Sequence, residues 1–216
     1  MNLVIDIGNT RIKAAVFEDA SLLELLVFEE EHLLKKIDFF LKKYKIDAGI
    51  ISSVKQLSSE IWSSVLKKLP FVELNAATKV PFINLYETPH TLGVDRIALV
   101  SNASIKFPKK NVLVIDAGTC ITYDFINCNN EYLGGAISLG VEMRYKSLHQ
   151  FTSKLPLLEK NENVELVGST TSKSIQSGVN NGVVAEINGM IAQYEKEMGD
   201  LTVVLTGGDT YFLAKQ

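Results

Sequence analysis

Two apolar runs in this chain end on an aspartate followed, two residues on, by a glycine: Leu3-Val4-Ile5-Asp6-Ile7-Gly8 and Leu113-Val114-Ile115-Asp116-Ala117-Gly118. They lie 110 residues apart and agree at five of six positions. A carboxylate at a strand end can hold hydrated Mg²⁺, which prefers oxygen ligands and keeps waters. The glycine lets the chain turn sharply and aim successive N–H groups at an anion. In the first copy Asn9 and Thr10 add side-chain donors, and Lys13 can reach a phosphate. In the second copy Thr119 adds a hydroxyl. Taken singly, each segment could be a hairpin whose Asp and Asn only stabilise a turn. As a repeat, they read as two clamps able to close on one nucleotide. Neither is a P-loop, because G-x-x-x-x-G-K-[ST] is absent there.

Between the clamps lies Thr91-Leu92-Gly93-Val94-Asp95-Arg96. Asp95 could take a proton from an attacking hydroxyl, and Arg96 could hold a carboxylate through its planar fork. The competing reading is a helix cap with a solvated arginine. Gly134-Gly135-Ala136-Ile137-Ser138-Leu139-Gly140 brings main chain close to a ligand or makes a tight strand-to-helix connection. Thr206-Gly207-Gly208-Asp209 follows a strand and leaves room for a flat base or a phosphate. Thr170, Thr171 and Ser172 offer hydroxyls at a helix start, a place that suits an anion or a simple N-cap. His32, His90 and His149 have no metal-ligand spacing.

These segments need elements to hold them. Residues 2–6 predict a buried strand, 8–10 a hairpin turn and 11–17 the return strand. Helical spacing marks 31–44, 58–69, 95–104, 141–150 and 171–198. Further strands are predicted over 47–53, 71–74, 112–116, 121–126, 131–135 and 201–205, with 151–169 irregular. The polar break Lys106–Asn111 divides the chain into domains 1–110 and 111–216, each mixing strands and helices as α/β layers. The 216 residues are 46% hydrophobic with a net charge of −3, and they contain no long basic run. Nucleic-acid binding is therefore not expected. Two cysteines without ligand spacing favour a reducing compartment. The N-terminus lacks signal-peptide character, and no apolar run is long enough to span a membrane. A cytoplasmic protein is expected.

Together the motifs resemble the type III pantothenate kinases. They are Asp6-x-Gly-Asn-Thr, Gly93-Val94-Asp95-Arg96 preceded by Tyr86 and Pro89, Asp116-x-Gly-Thr, Gly134-Gly135-Ala136-Ile137, Ser177-Gly178 and Thr206-Gly-Gly-Asp209. Their order and spacing carry the resemblance from Asp6 to Asp209. It implies the acetate and sugar kinase, heat-shock protein and actin superfamily: two ribonuclease-H-like domains with a cleft for ATP between them. It implies transfer of the γ-phosphoryl of ATP to the primary hydroxyl of pantothenate, the first step toward coenzyme A. Asp6, Ile7, Gly8, Asn9, Thr10, Arg11, Ile12 and Lys13 would form the first phosphate loop, with Asp6 facing Mg²⁺. Thr119 would touch ATP, and Asp116 would coordinate a monovalent cation, K⁺ or NH₄⁺. Tyr86, Gly93, Val94, Asp95, Arg96 and Thr171 would bind pantothenate, with Asp95 as proton acceptor. The resemblance also implies a homodimer.

Two departures stand out. Leu139 occupies a position that is usually proline before Gly140, which predicts a looser turn. The chain ends at Gln216, soon after Asp209, where the family usually adds a strand and a helix, so a truncated second domain is expected. The alternatives are another small-molecule kinase or phosphatase of the superfamily, or a nucleotide-binding regulator without turnover.

Overall fold

In a computed structural model, residues 1–55 and 57–215 are described. They form two compact units. The first comprises Met1–Lys79 and Thr88–Ala98, the second Val80–Glu87 and Leu99–Gln216.

The first unit is built on strands β1 (Asn2–Ile7), β2 (Ile12–Glu18), β3 (Ser21–Phe28), β4 (Ala48–Ser53) and β5 (Phe71–Glu73). Their spatial order is β3-β2-β1-β4-β5. β1 to β3 form an antiparallel meander, and β4 and β5 run parallel to β1. Odd positions of β1 (Leu3, Ile5 and Ile7) are fully buried, and Ile12, Ala14, Val16 and Ile51 join them. Helices α1 (Leu33–Lys43) and α2 (Ser59–Leu66) cover that face with Leu33, Ile37, Phe40 and Val65. Asp6, Lys13 and Ser52 occupy the opposite face, because successive side chains alternate across a strand. Helix α3 (Val94–Lys106) follows in sequence.

The second unit repeats the plan. β7 (Asn111–Ala117), β8 (Cys120–Ile126) and β9 (Glu131–Leu139) form an antiparallel meander, and β10 (Leu201–Thr206) lies parallel to β7. A short strand, β6 (Ile83–Asn84), adds parallel to β9, giving the order β10-β7-β8-β9-β6. Helices α4 (Val141–Gln150), α5 (Thr171–Met198) and α6 (Thr210–Leu213) complete it. The stripe Ile175, Val179, Val183 and Ile187 of α5 packs with Leu113, Ile115 and Ala117 of β7 in one core. Residues 151–169 are irregular, as expected. They are tied to α5 by the Ser177 hydroxyl bonding the Leu166 carbonyl and by Asn180 Nδ2 bonding the Asn161 carbonyl at 2.6 Å.

Three elements differ from expectation. β3 was not anticipated. It is an edge strand with apolar residues on both faces, Leu25 and Val27 exposed and Leu26 and Phe28 turned in, so its sequence lacks the polar/apolar alternation that reveals a half-buried strand. β6, a strand of two residues, was not anticipated either. β9 runs through the glycines instead of ending at them. Gly134 sits at φ +107° beside a register shift, where Phe125 pairs with Gly134 and Ile126 with Tyr132. That bulge accommodates an extra residue, and only glycine adopts this φ readily. At Gly135 a Cβ would lie 1.6 Å from the Tyr123 carbonyl oxygen, so the strand could not approach with any side chain there. The Gly-Gly pair is therefore accounted for by close packing within the sheet.

Candidate active site

The first clamp starts where β1 ends. Asp6 is the register partner of Lys13 on β2 and of Ser52 on β4. The Ser52 hydroxyl donates to Asp6 Oδ1 at 2.9 Å, which fixes the carboxylate from the strand behind it. Lys13 lies across the antiparallel pair on the same face and is exposed. Gly8 closes the loop, its N–H donating to the Arg11 carbonyl at 3.2 Å. Asn9, Thr10 and Arg11 are exposed at the tip. Ile7 and Ile12, at the two ends of the loop, are 0% and 1% exposed and belong to the core. Only their main chain is available to an anion; their side chains anchor the loop.

The second clamp occupies the matching place in the second sheet. Asp116 has Thr122 on β8 and Thr206 on β10 as register partners. A two-residue connection, Gly118-Thr119, is closed by the Gly118 N–H donating to the Cys120 carbonyl at 2.9 Å. Glycines from two other segments pack against it. At Gly140 a Cβ would lie 2.2 Å from the Gly118 oxygen. At Gly207, with φ +98°, a Cβ would lie 2.3 Å from the Ala117 oxygen and 2.5 Å from Asp116 Oδ1. The Gly140 N–H bonds the Thr119 carbonyl and the Asp209 N–H bonds the Ala117 carbonyl. The Asp209 carboxylate is taken by Lys160 at 2.6 Å. Thr119 itself is exposed.

Asp95 lies in the first turn of α3. Its Oδ1 accepts the Arg96 N–H at 2.9 Å, while the Ile97 N–H bonds the Gly93 carbonyl and opens the helix. At Gly93 a Cβ would stand 2.4 Å from that carboxylate oxygen, so glycine makes the space Asp95 occupies. A carboxylate here also meets the positive end of the helix dipole. Arg96 is only 5% exposed, unlike the solvated arginine of the capping alternative. Val94 is half-buried.

Tyr86 and Thr171 belong to the second unit. The Tyr86 ring stacks on Tyr132, centroids 6.0 Å apart, and lies over Gly134, where a Cβ would be 3.1 Å away. Thr171 opens α5 and is exposed; its neighbour Thr170 is the N-cap, accepting the Lys173 N–H at 3.2 Å. In the first unit, Asp6 and the Gly8–Lys13 loop form one cluster. In the second, Asp116, Thr119, Gly140 and Gly207 form another. Among the described residues, no three His, Cys, Asp or Glu side chains gather as a metal cluster. Single strand-end carboxylates suit Mg²⁺, which retains waters and takes phosphate oxygens.

Sequence reading missed several polar residues. Asp124 is fully buried and accepts from Tyr132 Oη at 2.7 Å and from the Thr122 hydroxyl at 3.1 Å. The alternation Thr122-x-Asp124 just after the second clamp was its available signal. Glu186 on α5 accepts from Arg144 Nη2 at 2.6 Å and from Tyr123 Oη at 3.1 Å. Burial would raise the Glu186 carboxyl, but hydrogen bonds from Arg144 and Ser138 and the Arg144 charge outweigh it, leaving it below its ordinary value. Burial first, and then the Glu186 charge, push the Tyr123 hydroxyl well up. No local pattern announces Ser52, Arg144 or Glu186.

The family model described as type III pantothenate kinase matches residues 2–193. The type III pantothenate kinase of Flavobacterium johnsoniae is 47% identical over all of this chain and 89% of its own length. That of Christiangramia forsetii is 48% identical over 99% of this chain and 88% of its own. Among solved structures, a candidate Baf family transcriptional activator from Campylobacter jejuni superposes with a TM-score of 0.63 at 24% identity, covering 98% of this chain and 86% of that one. The ethanolamine utilization protein EutJ from Carboxydothermus hydrogenoformans gives a TM-score of 0.54 at 13% identity, covering 99% and 78%. These structural likenesses bear on the fold alone, an α/β architecture built on two similar five-stranded sheets.

Proposed function

The chain belongs to the type III pantothenate kinase family, and from this premise we propose that it phosphorylates the primary hydroxyl of pantothenate with ATP, the first step toward coenzyme A. The observation that carries this reading is the repeated Asp-x-Gly turn, set at the same corner of two sheets of the same plan. Each such turn carries groups suited to a phosphate and its cation.

In this reading Gly8, its N–H engaged by the Arg11 carbonyl, shapes the first clamp, which binds the phosphates through the amides of Asn9–Ile12 and through Lys13. Asn9, Thr10 and Arg11 present donors at the loop tip. Asp6, braced by Ser52, would hold Mg²⁺, and Asp116 a monovalent cation, K⁺ or NH₄⁺. When bound, these cations supply positive charge that offsets the charge on the phosphoryl oxygens. Thr119 contacts ATP. Tyr86, Gly93, Val94, Arg96 and Thr171 bind pantothenate, with the guanidinium taking its carboxylate.

The hydroxyl oxygen of pantothenate attacks the γ-phosphorus while the bond to the bridging β–γ oxygen breaks. The hydroxyl proton passes to the Asp95 carboxylate, and ADP leaves with the electron pair. Fixed amide dipoles at the turns need no reorganisation during this step. We further propose domains divided at the Lys106–Asn111 break, a homodimeric assembly and a cytoplasmic location. No helix among the described residues is long and apolar enough to cross a membrane.

ADP release on adding pantothenate to enzyme and Mg·ATP tests the reading. Asp95→Asn is expected to lower kcat by about 10²–10⁴-fold with the fold intact; near-normal turnover would remove Asp95 from the base role. ATP binding with no ADP release, on pantothenate or on a panel of sugars and acetate, would leave a nucleotide-binding regulator instead.

A further inference from the structure

The turn that follows β9 is held by a polar chain running through four elements. Arg144, in α4, donates from Nε to the Leu139 carbonyl at 2.9 Å and from Nη2 to the Ser138 hydroxyl at 3.2 Å. The same Nη2 reaches Glu186 of α5 at 2.6 Å, and Tyr123 Oη of β8 donates to the other carboxylate oxygen. Arg144 and Glu186 are 19% and 29% exposed, so the pair is substantially shielded from water and salt. The next residue after Leu139 is Gly140. Its N–H bonds the Thr119 carbonyl at 3.1 Å, and it lies so close that a Cβ would meet the Gly118 oxygen at 2.2 Å. The contacts form one sequence: Glu186 holds Arg144, Arg144 holds the Leu139 carbonyl, and Gly140 holds the Gly118-Thr119 turn.

We propose that Arg144 and Glu186 are positioning residues for the nucleotide, fixing the second clamp through Leu139 and Gly140. This rests on the reading above in which Thr119 contacts ATP. Leu139 is the last residue of β9 and pairs with Cys120, and its carbonyl lies at the point where the chain leaves the ladder for Gly140. Arg144 holds the chain there through that carbonyl. An arginine suits the task because its rigid fork bonds two acceptors in different directions.

The test is direct binding of the β,γ-imido analogue of ATP with Mg²⁺, by calorimetry, to wild type, Arg144→Lys and Glu186→Gln, alongside steady-state kinetics. Lysine keeps a cation for Glu186 but has no Nε–H for Leu139. The analogue's Kd is expected to rise about 5- to 50-fold in Arg144→Lys, with KM for pantothenate within about twofold of wild type. Glu186→Gln should weaken binding in the same direction by less, and the double variant should be no worse than Arg144→Lys alone. Unchanged Kd in both variants, even with a lowered Tm, would make the pair merely structural and overturn the proposal. If Arg144→Lys does not fold, the nearly isosteric Glu186→Gln decides it. Wild type that binds the analogue but releases no ADP with pantothenate would sink the kinase reading and leave this inference standing.

Discussion

The two clamps begin from nearly the same hexapeptide and end in different surroundings. At the first, the aspartate faces a lysine across one neighbouring strand and a serine across the other. At the second, both register partners are threonines. The first loop has four residues between its strands, with three exposed at its tip, and is closed by its own Gly8–Arg11 bond. The second has two residues and is wedged by Gly140 and Gly207. The same motif thus makes an exposed loop with a lysine one strand away in one unit, and a short turn packed between glycines in the other. The strand order is common; the residues one strand away set the chemistry.

The comparison can be broken most severely at Asp6. Asp6→Ala should cut Mg²⁺-dependent turnover by at least about 10²-fold, and an unchanged Mg²⁺ titration would remove the metal from the first clamp. Asp116→Ala should instead abolish any advantage of K⁺ over Na⁺; equal loss of Mg²⁺ dependence in both variants would erase the proposed division of labour.

The next effect separates rigidity from tolerance. Gly207→Ala should lower kcat/KM by about 10²-fold and reduce Tm, because its φ and its contacts with Ala117 and Asp116 leave no room for a methyl. Gly8→Ala, whose Cβ would meet only the Arg11 oxygen at 3.0 Å, should cost less than about threefold in the same assay. Equal effects would mean that the two turns are alike after all.

A smaller change sharpens the account of the first clamp. Ser52→Ala removes one hydroxyl bond to a carboxylate, worth about 1 kcal/mol, and should raise KM for Mg·ATP about three- to tenfold. The smallest effect concerns acid. Glu186 has a folded pKa below its ordinary 4.5. Its stabilisation is therefore present above that pH and lost as pH falls below 4.5 through the lower folded value. Wild-type Tm should fall toward that of Glu186→Gln in this window; a constant gap between the two melting curves from pH 6 to pH 3 would show that the charge contributes nothing.

Much of this was legible in the chain. Buried-strand runs ending on Asp6 and Asp116, the helical stripe of α5 and the Asp95-Arg96 pair at a helix start are local patterns, and the structure places each on the expected kind of element. β3 was not legible, because apolar residues occupy both of its faces, exposed and inward alike. The Gly134-Gly135 pair was ambiguous, because a glycine's reason lies in the strand it packs against.

By itself, the sequence determined the repeat, the alternation that buries one face of each central strand, and the set of groups capable of phosphoryl chemistry. These follow from interactions within a few residues. The tertiary structure alone decided that Ser52 braces Asp6 across 46 residues of chain, that Glu186 reaches Arg144 across 42, that Gly207 packs on Asp116, and that Arg96 is buried. The pairing of Ser52 with Asp6 depends on strand order and register, which the summed burial of whole sheets sets, and that of Glu186 with Arg144 on the packing of α4 beside α5.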